Sequence, residues 1–280
     1  MNKYIKTLAI GLMTGASMLT TSCNLDYKPI DNFSANNFWG SQTEFEGFIT
    51  AISNHFRSAG ASNVLFNAGE LRSGVFEMAT IEGSGIINSE PIQNLYDADH
   101  PQFSTFGGYY GFIANINELI YRCNNTNVLS DKVKNGLLGM AYGYRAFYYF
   151  QMYRMYGGVV LRIEPDVILG NYEATLLYKG RSTAEQTLKQ IKDDIQKSLE
   201  YFAQTDYVYK SASKDYYWTK AATEMLAGEV YLWSGKVDTD DHQANPADVA
   251  TAATYFNNVI NNYGFELQDD FYSVWTKPHN

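Results

Sequence analysis

Apolar residues recur at helical spacing along most of this chain, beginning with Phe45, Phe48, Ile49, Ile52 and Phe56, which share one face of a 3.6-residue helix. Ser41 precedes that run and Glu44 follows three residues later, the spacing of a capping box. Residues 60–106 break the pattern. They are rich in Gly, Asn and Ser, carry several acidic residues and sustain no period, so long loops with short helical or extended pieces are expected there. Loops of this length in a compact domain serve function or stay disordered.

From Gly107 onward helices follow one another. The spacing predicts a helix over Tyr109–Thr126 with Phe112, Ile113, Ile116, Leu119 and Ile120 on one face. Ser130 is placed to cap a second, through Val133, Leu137, Met140, Tyr144, Phe147, Tyr148, Met152 and Met155, ending at Gly157-Gly158 as a left-handed C-cap. Residues 159–180, with Pro165, read as an extended connector. Ser182 and Glu185 have capping-box spacing ahead of Leu188, Ile191, Ile195 and Leu199. A further helix is expected over Lys214–Trp233, stopping near Gly235. The polar loop Asp238–Asn245 then leads to Pro246 at a first helical position, and a last helix carries Ala250, Ala253, Phe256, Val259 and Ile260. Antiparallel helix pairs with small residues at their crossings define the expected fold class: all-α, a tetratricopeptide-like helical repeat scaffold with long irregular loops near the N-terminus.

The first 23 residues have a different grammar. Lys3 and Lys6 precede an apolar stretch from Leu8 to Leu19, and Thr20-Thr21-Ser22 lead directly to Cys23. That is a secretory signal, with a core shorter than the roughly 20 apolar residues a transmembrane helix needs. A cysteine at the junction reads as a lipobox, in which Cys23 is the lipid attachment site and becomes the first mature residue. The expected organisation is a lipoprotein signal peptide over 1–22, an acylated N-terminus and tether over 23–40, and a helical domain over 41–280.

Charge narrows the partners. The 280-residue chain has a formal charge of −9, or −11 once residues 1–22 and their two lysines are removed. With no Lys/Arg run, nucleic acid is excluded as a partner, and attachment to an anionic lipid surface falls to the acyl chains. After Cys23, only Cys123 remains, which cannot form an internal disulfide and reads as a buried small hydrophobe. His55, His100, His242 and His279 are scattered without metal-ligand spacing. Asp238–His242 resembles half a calcium loop but lacks the glycine and the final acidic residue. No nucleophile elbow, P-loop or dinucleotide motif is found, so no catalytic residue, metal or cofactor is assigned. Trp39 and Trp218 sit near element starts and read as packing anchors.

Several ordered stretches carry a family resemblance. The cysteine followed by Leu25-Asp26-Tyr27-Lys28-Pro29, the run Ala141-Tyr142-Gly143-Tyr144-Arg145-Ala146-Phe147-Tyr148-Tyr149-Phe150 with Tyr156-Gly157-Gly158, Arg181-Ser182-Thr183 with Ile191 and Asp194, Lys220-Ala221-Ala222 through Trp233, and Ala253-Tyr255-Phe256 with Tyr263 resemble the SusD/RagB-like nutrient-uptake lipoproteins of Bacteroidetes-type bacteria. Val159 stands where that family often has Pro after the glycines. Such proteins are about twice this length, so an N-terminal portion is expected. The resemblance implies a non-catalytic, cell-surface outer-membrane lipoprotein that binds glycan oligomers or peptides and works with a SusC-like TonB-dependent transporter. A peptide-binding or purely transporter-docking scaffold is the alternative. Sugars are held by aromatic faces and by polar side chains at a rim. Because helical faces are committed to packing, the expected ligand-binding residues lie before Gly107: Tyr96, Asp97, Asp99 and Phe103.

Overall fold

The caps written into the sequence set most of the helix starts. Helix α1, Gln42–His55, opens at Ser41, whose amide and hydroxyl both donate to the Glu44 carboxylate at 2.7 and 3.0 Å. Helix α2 spans Gly107–Asn124, and α3 spans Asp131–Tyr156, with the Ser130 hydroxyl accepting from the Val133 amide at 3.4 Å. A single turn, α4 (Ala174–Leu177), precedes α5 (Ala184–Ala203), α6 (Lys220–Lys236), α7 (Ala247–Asn262) and the short α8 (Phe271–Thr276). The computed structural model describes residues 38–57, 66, 68–75, 92–95, 99, 107–166, 168–170, 173–207 and 217–276. Among these the fold is all-α, and extended pairing is confined to one isolated bridge between Thr239 and His242. No helix among them is long and apolar enough to cross a membrane.

The chain divides into two compact units, Met1–Gly40 and Ser41–Asn280. In the first, Phe38 and Trp39 meet edge to face at 4.9 Å, and Trp39 sits at φ +86°. In the second, each long helix packs on the next: α1 on α2, α2 on α3, α3 on α5, α5 on α6, and α6 on α7. This nearest-neighbour pattern is that of a helical-repeat array. Its centre is α3, which is buried on nearly every face because α1, α2, α5 and α6 all reach it. Glycines let the crossings close. A Cβ on Gly143 would stand 2.0 Å from Nε1 of Trp218, and one on Gly228 would stand 2.4 Å from the Phe256 ring. Trp218 is accordingly a buried anchor, its indole donating to Thr223 Oγ1 at 2.8 Å. Cys123 is fully buried, and burial pushes its thiol up to about 12, so it packs as a small hydrophobe.

Four boundaries depart from the sequence expectation, each for a local reason. Helix α5 is capped by Thr183 with Gln186, one residue beyond the Ser182–Glu185 pair. The Ser182 amide is already donated to the Val159 carbonyl at 2.9 Å, which holds Ser182 in the connector. Helix α6 begins at Lys220 behind a Thr219 cap rather than at Lys214, because Trp218 is drawn into the core beside Gly143. Gly157 ends α3 at φ +68°, ψ −128°, outside the left-handed helical region and in backbone space that only glycine occupies readily. Pro246 is the N-cap of α7 rather than its first residue, and α7 buries Ala252 and Val259 while Ile260 is exposed. The connector also contains α4, which no periodicity announced.

Candidate functional site

Arg145 is the only strong base inside the apolar Ala141–Phe150 run, and Asp194 interrupts the Leu188/Ile191/Ile195 stripe of α5. The fold brings them together, both almost fully buried, in a two-pronged pair: Nε to Oδ2 at 2.9 Å and Nη2 to Oδ1 at 2.7 Å. Arg145 Nη1 also donates to Asn117 Oδ1 at 2.9 Å and to the Ile163 carbonyl at 3.2 Å, and Asn117 donates to the Arg162 carbonyl at 2.9 Å. The Tyr149 hydroxyl accepts from the Arg162 amide and donates to its carbonyl, both at 2.7 Å. Three side chains, Arg145, Asn117 and Tyr149, thereby pin the extended connector that follows α3, with Asp194 holding Arg145 in place. Burial alone would lower the Arg145 guanidinium, but the adjacent Asp194 carboxylate holds it above its ordinary value. A pair so enclosed adds little net stability compared with an apolar replacement, yet it fixes geometry because neither partner tolerates the other's loss.

Above this network lies a polar cleft of about 500 Å³. One wall is the C-terminal end of α2 and the turn after it, with Tyr121, Asn124 and Asn125. The other is α5, with Gln190, Asp193, Lys197 and Glu200. Tyr142 and Arg145 form the floor, and Glu164 and Pro165 close one end. The Tyr142 ring is stacked on Tyr201 at 5.7 Å and flanked by the cations of Arg145 and Lys197 at 5.1 and 5.2 Å.

At the other end of α2 lies an apolar groove of about 610 Å³. Phe48, Ala51, Ile52 and His55 of α1 face Gly108, Gly111, Phe112 and Asn115 of α2 across it. The His55 and Phe112 rings are 4.0 Å apart, and Phe112 stacks in turn on Tyr148 at 5.1 Å. These are the last turns of α1 and the first turns of α2, so the segment 58–106 leaves and returns at the rim of this groove.

Asp99, one of the expected ligand residues, is exposed. Tyr96, Asp97 and Phe103 lie outside the described residues, as does Cys23. The groove residues His55 and Phe112, the cleft residues Asn117 and Arg145, and Asp194 buried beneath the cleft floor are not among the residues the sequence points to as a site. Arg145 and Asp194 did leave a signal, since each is a charge on an otherwise apolar stripe.

The Asp238–His242 loop is occupied with structural work. Asp238 accepts from the Ala244 amide at 2.7 Å and Asp240 from the Gly158 amide at 3.1 Å; Asp241 accepts from Ala184 and Glu185 at 2.7 and 3.3 Å. Desolvation opposes the Asp241 charge, but hydrogen bonds from Thr183 and from those amides outweigh it and hold the carboxyl below its ordinary value. His242 bridges Glu185 at 2.6 Å and the Ser234 carbonyl at 3.1 Å. Among the described residues no group of three or more His, Cys, Asp or Glu side chains is placed to hold a metal ion.

The fold is thus that of an all-α repeat protein with two binding-sized concavities along one helix. The family profile described as SusD-like, "Starch-binding associating with outer membrane", matches residues 27–232, and the chain belongs to that family. A SusD superfamily protein of Bacteroides fragilis is 40% identical, with a TM-score of 0.73 over 85% of this chain and 46% of that one. NanU of B. fragilis is 33% identical, with a TM-score of 0.70 over 88% of this chain and 46% of that one. A laminarin-binding SusD-like protein shares the fold at 18% identity, with a TM-score of 0.60 over 84% of this chain and 47% of that one. The chain spans about half the length of the solved structures it matches. No match is found among curated proteins.

Proposed function

We propose that this chain is the N-terminal part of a non-catalytic, cell-surface lipoprotein that captures glycan oligomers and passes them to a SusC-like TonB-dependent transporter in the outer membrane. In this reading residues 1–22 are a signal peptide, Cys23 is acylated, residues 23–40 tether the body, and Tyr96, Asp97, Asp99 and Phe103 contribute to the glycan site. One observation carries it beyond family membership. The segment bearing those residues joins α1 to α2 beside a groove lined by Phe48, His55, Phe112 and Asn115. Phe112 is stacked on Tyr148 and backs the exposed His55 ring. His55 and Phe48 therefore offer ring surface and Asn115 an amide, a combination that suits a sugar's apolar face and its hydroxyls.

Affinity gels and titration calorimetry of the full chain against a panel of polysaccharides test this. At least one glycan is expected to bind, with binding lost in Phe112→Ala and in the Tyr96→Ala/Phe103→Ala pair. Failure of every glycan, alongside co-purification with a transporter, would sink the glycan reading and leave a docking scaffold. Turnover of any bound glycan would overturn the non-catalytic assignment.

A further inference from the structure

We infer that the polar cleft between α2 and α5 is a second binding site, and that its occupant is an extended, cationic polypeptide segment of a partner protein. The walls carry the groups a peptide backbone needs. Asn124 at the end of α2 and Asn125 just beyond it line the cleft with Gln190 of α5. Asn125 already donates one N–H to the Tyr121 carbonyl and Gln190 one to Asp194, so each keeps a second N–H and its carbonyl oxygen for main-chain amides. Repeat scaffolds present such concave surfaces because successive helices meet at a constant angle.

Charge selects the sign of the occupant. The Arg145 cation in the floor is cancelled by Asp194. That leaves the carboxylates of Glu164, Asp193 and Glu200 against the single ammonium of Lys197. Asp193 does pair with Lys189 at 2.6 Å, but the pair is solvent-exposed, and exposed pairs are weak enough to be exchanged for an incoming Lys or Arg. An anionic ligand would meet repulsion from the α5 wall and from Glu164 at one end.

The same cleft suits a sugar poorly. Its floor aromatic, Tyr142, is already stacked on Tyr201 and flanked by two cations, so that ring has no free face to offer a pyranose and Tyr121 on one wall is the single ring left to contribute. Glycan binding at the α1–α2 groove and polypeptide binding here therefore call on opposite ends of α2, and either can fail without the other.

The test uses the full chain and short fluorescein-labelled peptides of Gly, Ser and Asn that differ only in carrying two central Lys or two central Glu residues. Fluorescence anisotropy is expected to show binding of the Lys peptide that weakens as salt rises from about 0.05 to about 0.5 M, with the Glu peptide weaker by on the order of tenfold. In the Asp193→Lys/Glu200→Lys variant the preference should invert. Gln190→Trp, which fills the cleft from one wall and gives up the Gln190–Asp194 hydrogen bond, should abolish binding of both peptides while keeping a cooperative circular-dichroism melt and leaving polysaccharide retention unchanged. Absence of binding by both peptides overturns the proposal. So does a preference that survives the charge reversal, or displacement of the peptide by a glycan that Gln190→Trp also excludes.

Discussion

The seam between α3 and α5 and the stretch from Ile260 to Tyr272 invert each other's chemistry. In the seam, charged and polar groups lie at the centre: Arg145, Asp194, Asn117 and Ser198 are all buried, and each is hydrogen-bonded. Beyond the end of α6 the large apolar groups stand outside, with Leu267 99% exposed, Phe271 80%, Tyr272 74% and Ile260 65%. Burial here follows available partners rather than residue polarity. A guanidinium is accommodated in the interior because a carboxylate, an amide and a carbonyl meet its donors. An apolar side chain stays in water where no neighbouring helix among the described residues covers it.

The largest effect is expected where the seam's charges are separated. Asp194→Ala leaves Arg145 buried without its counter-charge and should cost about 3–5 kcal/mol, read from the midpoint of urea unfolding. The double replacement Arg145→Met/Asp194→Leu should recover most of that loss, and a double variant as unstable as the single would show that the pair itself, not the orphaned charge, supplies the stability. Next, Gly143→Ala places a methyl group against the Trp218 indole. Overpacking of this sort costs about 1–3 kcal/mol, more than the ~1 kcal/mol that alanine gains over glycine in a helix. A more stable Gly143→Ala protein would mean that Trp218 can move aside.

The junction between the two regions titrates. Asp248, at the start of α7, accepts from Lys192 at 2.7 Å and from Ser234 at 2.6 Å. Desolvation works against its charge, but those two partners outweigh it and hold its carboxyl below the ordinary value. Its stabilising contribution is therefore complete above the unfolded value of about 3.9 and is lost as pH falls through the lower folded value. Asp248→Asn should lose about 1–2 kcal/mol at neutral pH, and the gap to the parent should begin to narrow below about pH 4 and close only as pH falls through the lower folded value. A constant gap across the acid range would count against this. The smallest change in stability is expected at the exposed end. Leu267→Ser/Phe271→Ser should alter unfolding free energy by about 0.5 kcal/mol or less, read from the same urea titration. A large loss of stability would show that these side chains are packed.

Most helices were legible because their apolar residues repeat at 3.6 and because Ser41 and Ser130 announce their starts. The Thr183 cap was missed by one residue, since Ser182 has the same local credentials and only its bond to Val159 disqualifies it. The seam was invisible in a more basic sense. Arg145 lies 28 residues from Asn117 and 49 from Asp194, and nothing in local spacing joins them. The expected ligand residues came from an aperiodic segment, where residue type suggests chemistry but no period dictates geometry. The groove between α1 and α2 belongs to helix faces whose apolar period points only to packing.

The loop Asp238–His242 carries a consequence for how this chain can vary. In sequence it looks like surface punctuation, the sort of place that accepts an inserted residue. Yet Asp240 holds the exit of α3, Asp241 the entrance of α5, and His242 ties Glu185 to Ser234. Three helix ends are gauged by one short span. Its length is therefore under tighter constraint than its hydrophilicity suggests, because tolerance to insertion depends on what the affected backbone and side chains hold. Adding or deleting one residue there would release all three ends together, whereas many substitutions elsewhere on the surface would release none.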